Sequence, residues 1–243
     1  MLHGWAMHGG VFEPICASLG EHYRIHRVDL PGHGRSRADA HFALAPIAAA
    51  LAQRFPSAHW LGWSLGGLLA CQLALDHPQA ARSLTLVGAS PRFTVAEDWP
   101  CAVAAAVFEQ FAQALANDVG RTLERFLALE TLGAEHAQDE RHWLRQLLHS
   151  VPSPSAQILT EGLAILQATD LRARLPQLAC PSLWIGGRRD RLVPAEALQR
   201  AAALAPAGQS LIIDATAHAP FIGRPQAFSD ALLAFLAGGG RAG

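Results

Sequence analysis

Short apolar runs separated by longer helical patterns recur along most of the chain. The runs at 23–30 (YRIHRVDL), 59–63 (HWLGW), 84–89 (LTLVGA), 182–187 (SLWIGG) and 210–214 (SLIID) lack strict polar/apolar alternation. That pattern predicts strands covered on both faces rather than on one. The first run ends at Pro31-Gly32, a turn signal. Helical patterns fall between them at 44–54, at 65–76 up to the stop His77-Pro78, at 195–205 after Pro194, and at 225–236 before the glycines of 238–240. This alternation predicts a mostly parallel sheet flanked by helices. From 91 to about 175 the rhythm breaks. Helical stretches at 102–115, 120–129, 135–148 and 155–168 follow one another, with a break at 152–154 and no convincing strand. The expected organisation is one α/β domain with its core in 1–90 and 176–243 and a helical cap, 91–175, inserted between sheet strands.

Composition narrows the chemistry. A chain of 243 residues suits one sizeable domain, and a net charge of -1 gives no pull toward nucleic acid or an anionic membrane. Lysine is absent, which excludes Schiff-base and P-loop lysine chemistry. Cys16, Cys71, Cys101 and Cys180 are scattered without a C-x-x-C pair, as free thiols in a reducing, cytoplasmic setting would be. None of the 12 histidines has metal-ligand spacing, so no metal is expected. No apolar stretch is long enough to span a membrane, and the opening M-L-H-G-W does not read as a signal peptide.

Gly62-Trp63-Ser64-Leu65-Gly66 fits G-x-S-x-G between a short strand and an apolar helix, the setting in which glycines permit a sharp turn and expose a serine Oγ. The bland alternative is a small-residue packing turn. A serine needs a base, and the base needs an orienting acid. In this type of fold the chain order is serine, acid, histidine. Asp190 follows the strand at 182–187, and His218 follows the strand at 210–214. Asp170 and Asp214 are rivals for the acid, and a surface ion pair with the neighbouring arginines is the alternative for Asp190. The oxyanion hole calls for the backbone N–H of Leu65, after the nucleophile, and that of Trp5, after His3-Gly4. The His3 side chain reads as structural.

The segments H-G-W (3–5), V-D-L-P-G-H-G-R-S-R (28–37) and W-L-G-W-S-L-G-G-L (60–68) resemble the α/β-hydrolase family. R-F-L-A-L-E-T (125–131), G-L-A-I-L-Q-A-T-D-L-R (162–172) and A-H-A-P-F (217–221) narrow the resemblance to the pimeloyl-[acyl-carrier protein] methyl ester esterases of biotin synthesis. The resemblance implies hydrolysis of a methyl ester at the far end of a carrier-bound pimeloyl chain, with no cofactor. It puts the triad on Ser64, Asp190 and His218, and substrate contacts on Trp5, Ser64, Leu65, Phe126, Leu127, Ala128, Leu129, Glu130 and His218. Phe126, Leu127 and Leu129 either line a channel for the methylene chain or simply form cap core. Arg121 and Arg125 share a helical face suited to docking an acidic acyl-carrier protein, and Arg141 and Arg145 repeat the spacing with less support. The partners expected are that carrier and small esters, with no nucleic acid or membrane, and the protein a monomer. A broad carboxylesterase or carbon–carbon bond hydrolase is a second reading, and a non-catalytic receptor on the same fold a third.

One departure stands out. Hydrolases of this type carry a strand just before the H-G loop, between the strands at 23–30 and 59–63, whereas here only Met1 and Leu2 precede His3. The N-terminal strands are apparently missing. The expectation is a chain start assigned late, unpaired backbone in mid-sheet, a poorly anchored Trp5 and, for these residues alone, low stability and weak activity.

Overall fold

A computed structural model describes residues 1–37 and 41–238. In chain order the elements are α1 (Glu13–Gly20), α2 (Leu44–Arg54), β1 (Ala58–Trp63), α3 (Leu65–Asp76), β2 (Ala81–Val87), α4 (Ala105–Asn117), α5 (Val119–Glu130), α6 (Ala137–Leu148), α7 (Ala156–Ala168), β3 (Ser182–Gly187), α8 (Ala195–Leu204), β4 (Gly208–Ile213), α9 (Pro220–Gly223) and α10 (Pro225–Gly238), with short 3-10 turns between. Of the glycine run read as the last helix's stop, Gly239 and Gly240 lie outside the described residues.

The strands form one parallel sheet in the order β1-β2-β3-β4. Parallel neighbours need crossovers, and α3 and α8 supply two of them. The third, from β2 to β3, carries all four helices α4 to α7. Burial explains the apolar runs: every residue of β3 is buried, while the edge strand β4 is half-exposed. Helix α3 buries nine of its twelve residues, as an all-round apolar helix must, and packs on both β1 and α2.

The run at 23–30 does not form the expected strand. Only Val28 pairs, in a one-residue parallel bridge to Leu2, which also bridges Gly62 of β1. Three backbone bonds make the link: Val28 N–H to Met1 O at 3.1 Å, Leu2 N–H to Leu61 O at 2.8 Å and Trp63 N–H to Leu2 O at 2.9 Å. Leu2 thus occupies the space between the 23–30 segment and β1 at the carboxyl end of the sheet. Farther down, the two flanks diverge around a cavity of about 450 Å³ lined by Tyr23, Ile25, Phe55, Trp60 and Leu61. A strand extends only as far as it has a partner to share hydrogen bonds, so 23–27 stays irregular.

Candidate active site

Ser64 sits in the one-residue step from β1 to α3 with φ 53° and ψ -117°, a left-handed backbone that costs energy outside glycine. Close approach holds it there. A Cβ on Gly62 would overlap the carbonyl of Gly66, and one on Gly66 would overlap the carbonyls of Leu2 and His3. The G-x-S-x-G glycines therefore let α3 and the N-terminal segment pack against the turn. Ser64 N–H is tied to Val87 O at 2.9 Å, which fixes the serine to the tip of β2.

Asp190 follows β3 in a tight turn. Its Oδ1 accepts the N–H groups of Leu192 at 2.8 Å and Val193 at 2.9 Å, leaving Oδ2 for His218 Nδ1 at 2.8 Å. Both side chains are buried. Neither rival acid does this: Asp170 is paired with Arg92 and Arg172, and Asp214 with Arg188. Arg189, next to Asp190 in the chain, reaches Gly133 O at 2.9 Å instead. The His218 loop is held on three sides. Its N–H donates to Glu130 O at 3.1 Å, its carbonyl accepts from Trp63 Nε1 at 3.0 Å, and Gly88, at φ 50°, backs the ring so closely that a Cβ would meet His218 O at 2.7 Å. Burial lowers the imidazole's pKa, but the charge and hydrogen bond of Asp190, with Glu130, outweigh it, and the net shift is upward. With Nδ1–H given to Asp190, Nε2 is the free base nitrogen; it is buried and makes no hydrogen bond among the described residues.

The amides of Leu65 and Trp5 donate to no acceptor among the described residues. The expectation that Trp5 hangs loosely is corrected. Its indole N–H donates to Leu159 O of α7 at 2.8 Å, its ring meets Phe126 of α5 edge-on at 4.7 Å, and Gly162 leaves room for it. Helices α5 and α7 thus hold Trp5, while the Leu2 bridge holds the chain just before it. His3 is structural, as read: Nδ1–H donates to Gly4 O at 2.8 Å and Nε2 accepts Leu30 N–H at 2.9 Å. Burial keeps it neutral, well below the usual histidine range.

On α5, Phe126 and Leu127 are buried in core packing, and Ala128 and Leu129 are half-buried. Phe126 also meets Phe111 of α4. Ser64 and His218 are buried, at 2% and 0% exposure. Arg121 and Arg125 are exposed and have no acidic partner among the described residues, whereas Arg145 is held in a bidentate pair by Glu124 at 2.7 and 2.5 Å. Of the second arginine pair, Arg145 is therefore spent within the fold. Two acids are buried in a way that the sequence did not convey: Glu140, and Glu130, which the resemblance implies only as a substrate contact. Glu130 and Glu140 have carboxyl oxygens without partners, and burial pushes them up to about 8 and about 7. No group of three metal-ligating side chains occurs among the described residues.

The model of the α/β hydrolase fold family matches residues 1–225. A pimeloyl-[acyl-carrier protein] methyl ester esterase from Xanthomonas campestris pv. campestris (strain B100) is 51% identical over 98% of this chain and 94% of its own. One of the same name from Stenotrophomonas maltophilia (strain K279a) is 50% identical over 98% and 92%. The solved structure of an esterase from Exiguobacterium antarcticum superposes with a TM-score of 0.88 at 24% identity, covering 98% of this chain and 90% of that one, and so attests the fold. The chain belongs to the α/β-hydrolase fold family and, within it, to the group formed by the pimeloyl-[acyl-carrier protein] methyl ester esterases.

Proposed function

We propose that this protein is a serine carboxylesterase that hydrolyses the methyl ester of a pimeloyl chain carried on acyl-carrier protein, releasing methanol and leaving the ω-carboxylate for biotin synthesis. The observation that carries the reading is the 51% identity over 238 residues, a span that includes the inserted helices as well as the sheet. The Asp190–His218 bond beside the strained Ser64 turn supports the chemistry.

His218 Nε2 takes the Ser64 hydroxyl proton as Oγ attacks the ester carbonyl. The oxyanion forms against the free N–H groups of Leu65 and Trp5, each worth roughly 3–4 kcal/mol to the transition state. The imidazolium, steadied by Asp190, returns the proton to the departing methoxide. Water then attacks the acyl-enzyme with His218 again as base, giving the carboxylic acid and restoring Ser64. Helices α4 to α7 act as a cap, with Phe126, Leu127, Ala128 and Leu129 beside the acyl chain. Each buried methylene offers about 0.8 kcal/mol. Arg121 and Arg125 would meet the carrier's acidic face. Four free cysteines suit a cytoplasmic location, and a single chain carries every group named, in keeping with a monomer. No helix among the described residues is long and apolar enough to cross a membrane.

Rescue of a biotin-requiring strain that lacks its own esterase tests the assignment. Wild type should restore growth and Ser64→Ala should not. Failure of soluble wild type to rescue would remove the biotin assignment, and turnover of p-nitrophenyl esters by that same protein would then favour a broad carboxylesterase.

A further inference from the structure

Glu130 ends α5 with its side chain turned inward. It is 2% exposed, and neither carboxyl oxygen has a hydrogen-bond partner among the described residues. An unbonded carboxyl in such a place is costly, and far more so when ionised. Yet it borders the site, because the carbonyl of the same residue accepts the N–H of His218 at 3.1 Å. The charged groups acting on it are His218 and Asp190. The other ionisable groups at this junction are engaged or lie outside it. Arg189 bonds Gly133 O, Arg224 pairs with Glu135, and Glu140 is buried against Gly223. No arginine among the described residues is therefore turned toward the carboxyl, and His218 is the one group nearby able to balance an anion.

We propose that Glu130 makes this site discriminate the ester from the carboxylate it yields, by setting a second titratable carboxyl beside the Asp190–His218 pair so that a carboxylate ligand binds only while that carboxyl carries a proton. This rests on the esterase reading. A methyl ester is neutral and adds no charge. The product carboxylate adds one to a buried site that already holds Asp190, and like charges at close range in a low dielectric do not both persist. The proton that relieves this resides on His218 or Glu130, which titrate as a coupled pair. Burial is the main reason that Glu130 is pushed up to about 8, with His218 opposing and Asp190 adding to the shift. Near neutrality it is protonated and the anion is tolerated. Above that range it is charged and the anion is expelled. Product inhibition should thus weaken as pH rises.

The test uses a p-nitrophenyl ester as reporter, heptanoate as competitor and the methyl ketone of equal length as its neutral control. Above pH ~8 the Ki of heptanoate should rise more steeply in wild type than in Glu130→Gln, by about tenfold per pH unit for the one proton that Glu130 adds to any taken by His218. The ketone should be flat in both. Proton uptake on adding heptanoate in weak buffer at pH ~8 gives a second readout, expected to be larger in wild type than in Glu130→Gln. Parallel slopes in the two proteins, or binding without proton uptake, would overturn the proposal. Normal reporter turnover with no action on pimeloyl esters would remove the pimeloyl assignment alone and leave this test standing.

Discussion

In the proposed mechanism His218 serves as base only when neutral, and the Asp190 charge and hydrogen bond that overcome its burial hold its pKa above the ordinary 6.5. The acid limb of kcat/KM should therefore have its midpoint above pH 6.5, with activity lost as pH falls through it. Asp190→Asn removes the charge and the fixed tautomer, and a loss of about 10⁴-fold in kcat is expected in steady-state assays. Glu130 gives a prediction of the opposite sense, on stability. Its carboxyl rises from 4.5 to about 8 on folding, so the folded state holds the extra proton between those values and stability falls as pH rises through that window. Glu130→Gln should melt higher than wild type at the alkaline end of this window. The gap should close toward the acid end, where wild type keeps its proton. Thermal denaturation across pH checks this, and a gap that does not change with pH would contradict it.

At the scale of elements, α5 and α7 hold Trp5, whose amide the proposed mechanism uses as an oxyanion donor. Phe126→Ala deletes the ring between Trp5 and Phe111, and a loss of about 3–5 kcal/mol in urea unfolding is expected. A fall in kcat should accompany it as the Trp5 amide loses its fixed direction. Much of this architecture was legible in the chain. Helices α2 and α3 and strand β3 fall on the expected bounds because their apolar patterns and their Pro or Gly stops agree. The run at 23–30 misled because its β-like sequence finds only Leu2 to pair with, and a strand is a property of two segments. Helix α1 went unread, although Pro14 at its start and Gly20 at its end were available signals. Glu130 and Glu140 were opaque in a deeper sense. A glutamate on a helix is expected to face water, and only the packing of α5 and α6 against the His218 loop turns these two inward.

For the whole molecule, Ser64 and His218 are buried where the inserted helices meet the His218 loop, and the α5–α6 link is tied to that loop by Glu135 N–H to Ala215 O at 2.9 Å and by the Arg224–Glu135 pair. A carrier docked at Arg121 and Arg125 would stand on α5, the helix whose last residue bonds the His218 N–H. Arg121→Glu/Arg125→Glu should raise KM for the carrier-bound ester more steeply than for the free methyl thioester, and added salt should weaken the wild type in the same direction. The central claim is most directly tested by mass spectrometry of acyl-carrier protein bearing the pimeloyl methyl ester after incubation with the purified protein. Conversion to the ω-carboxylate by wild type, with none by Ser64→Ala, is expected. An unchanged carrier-bound ester after incubation with soluble, folded wild type would contradict the account.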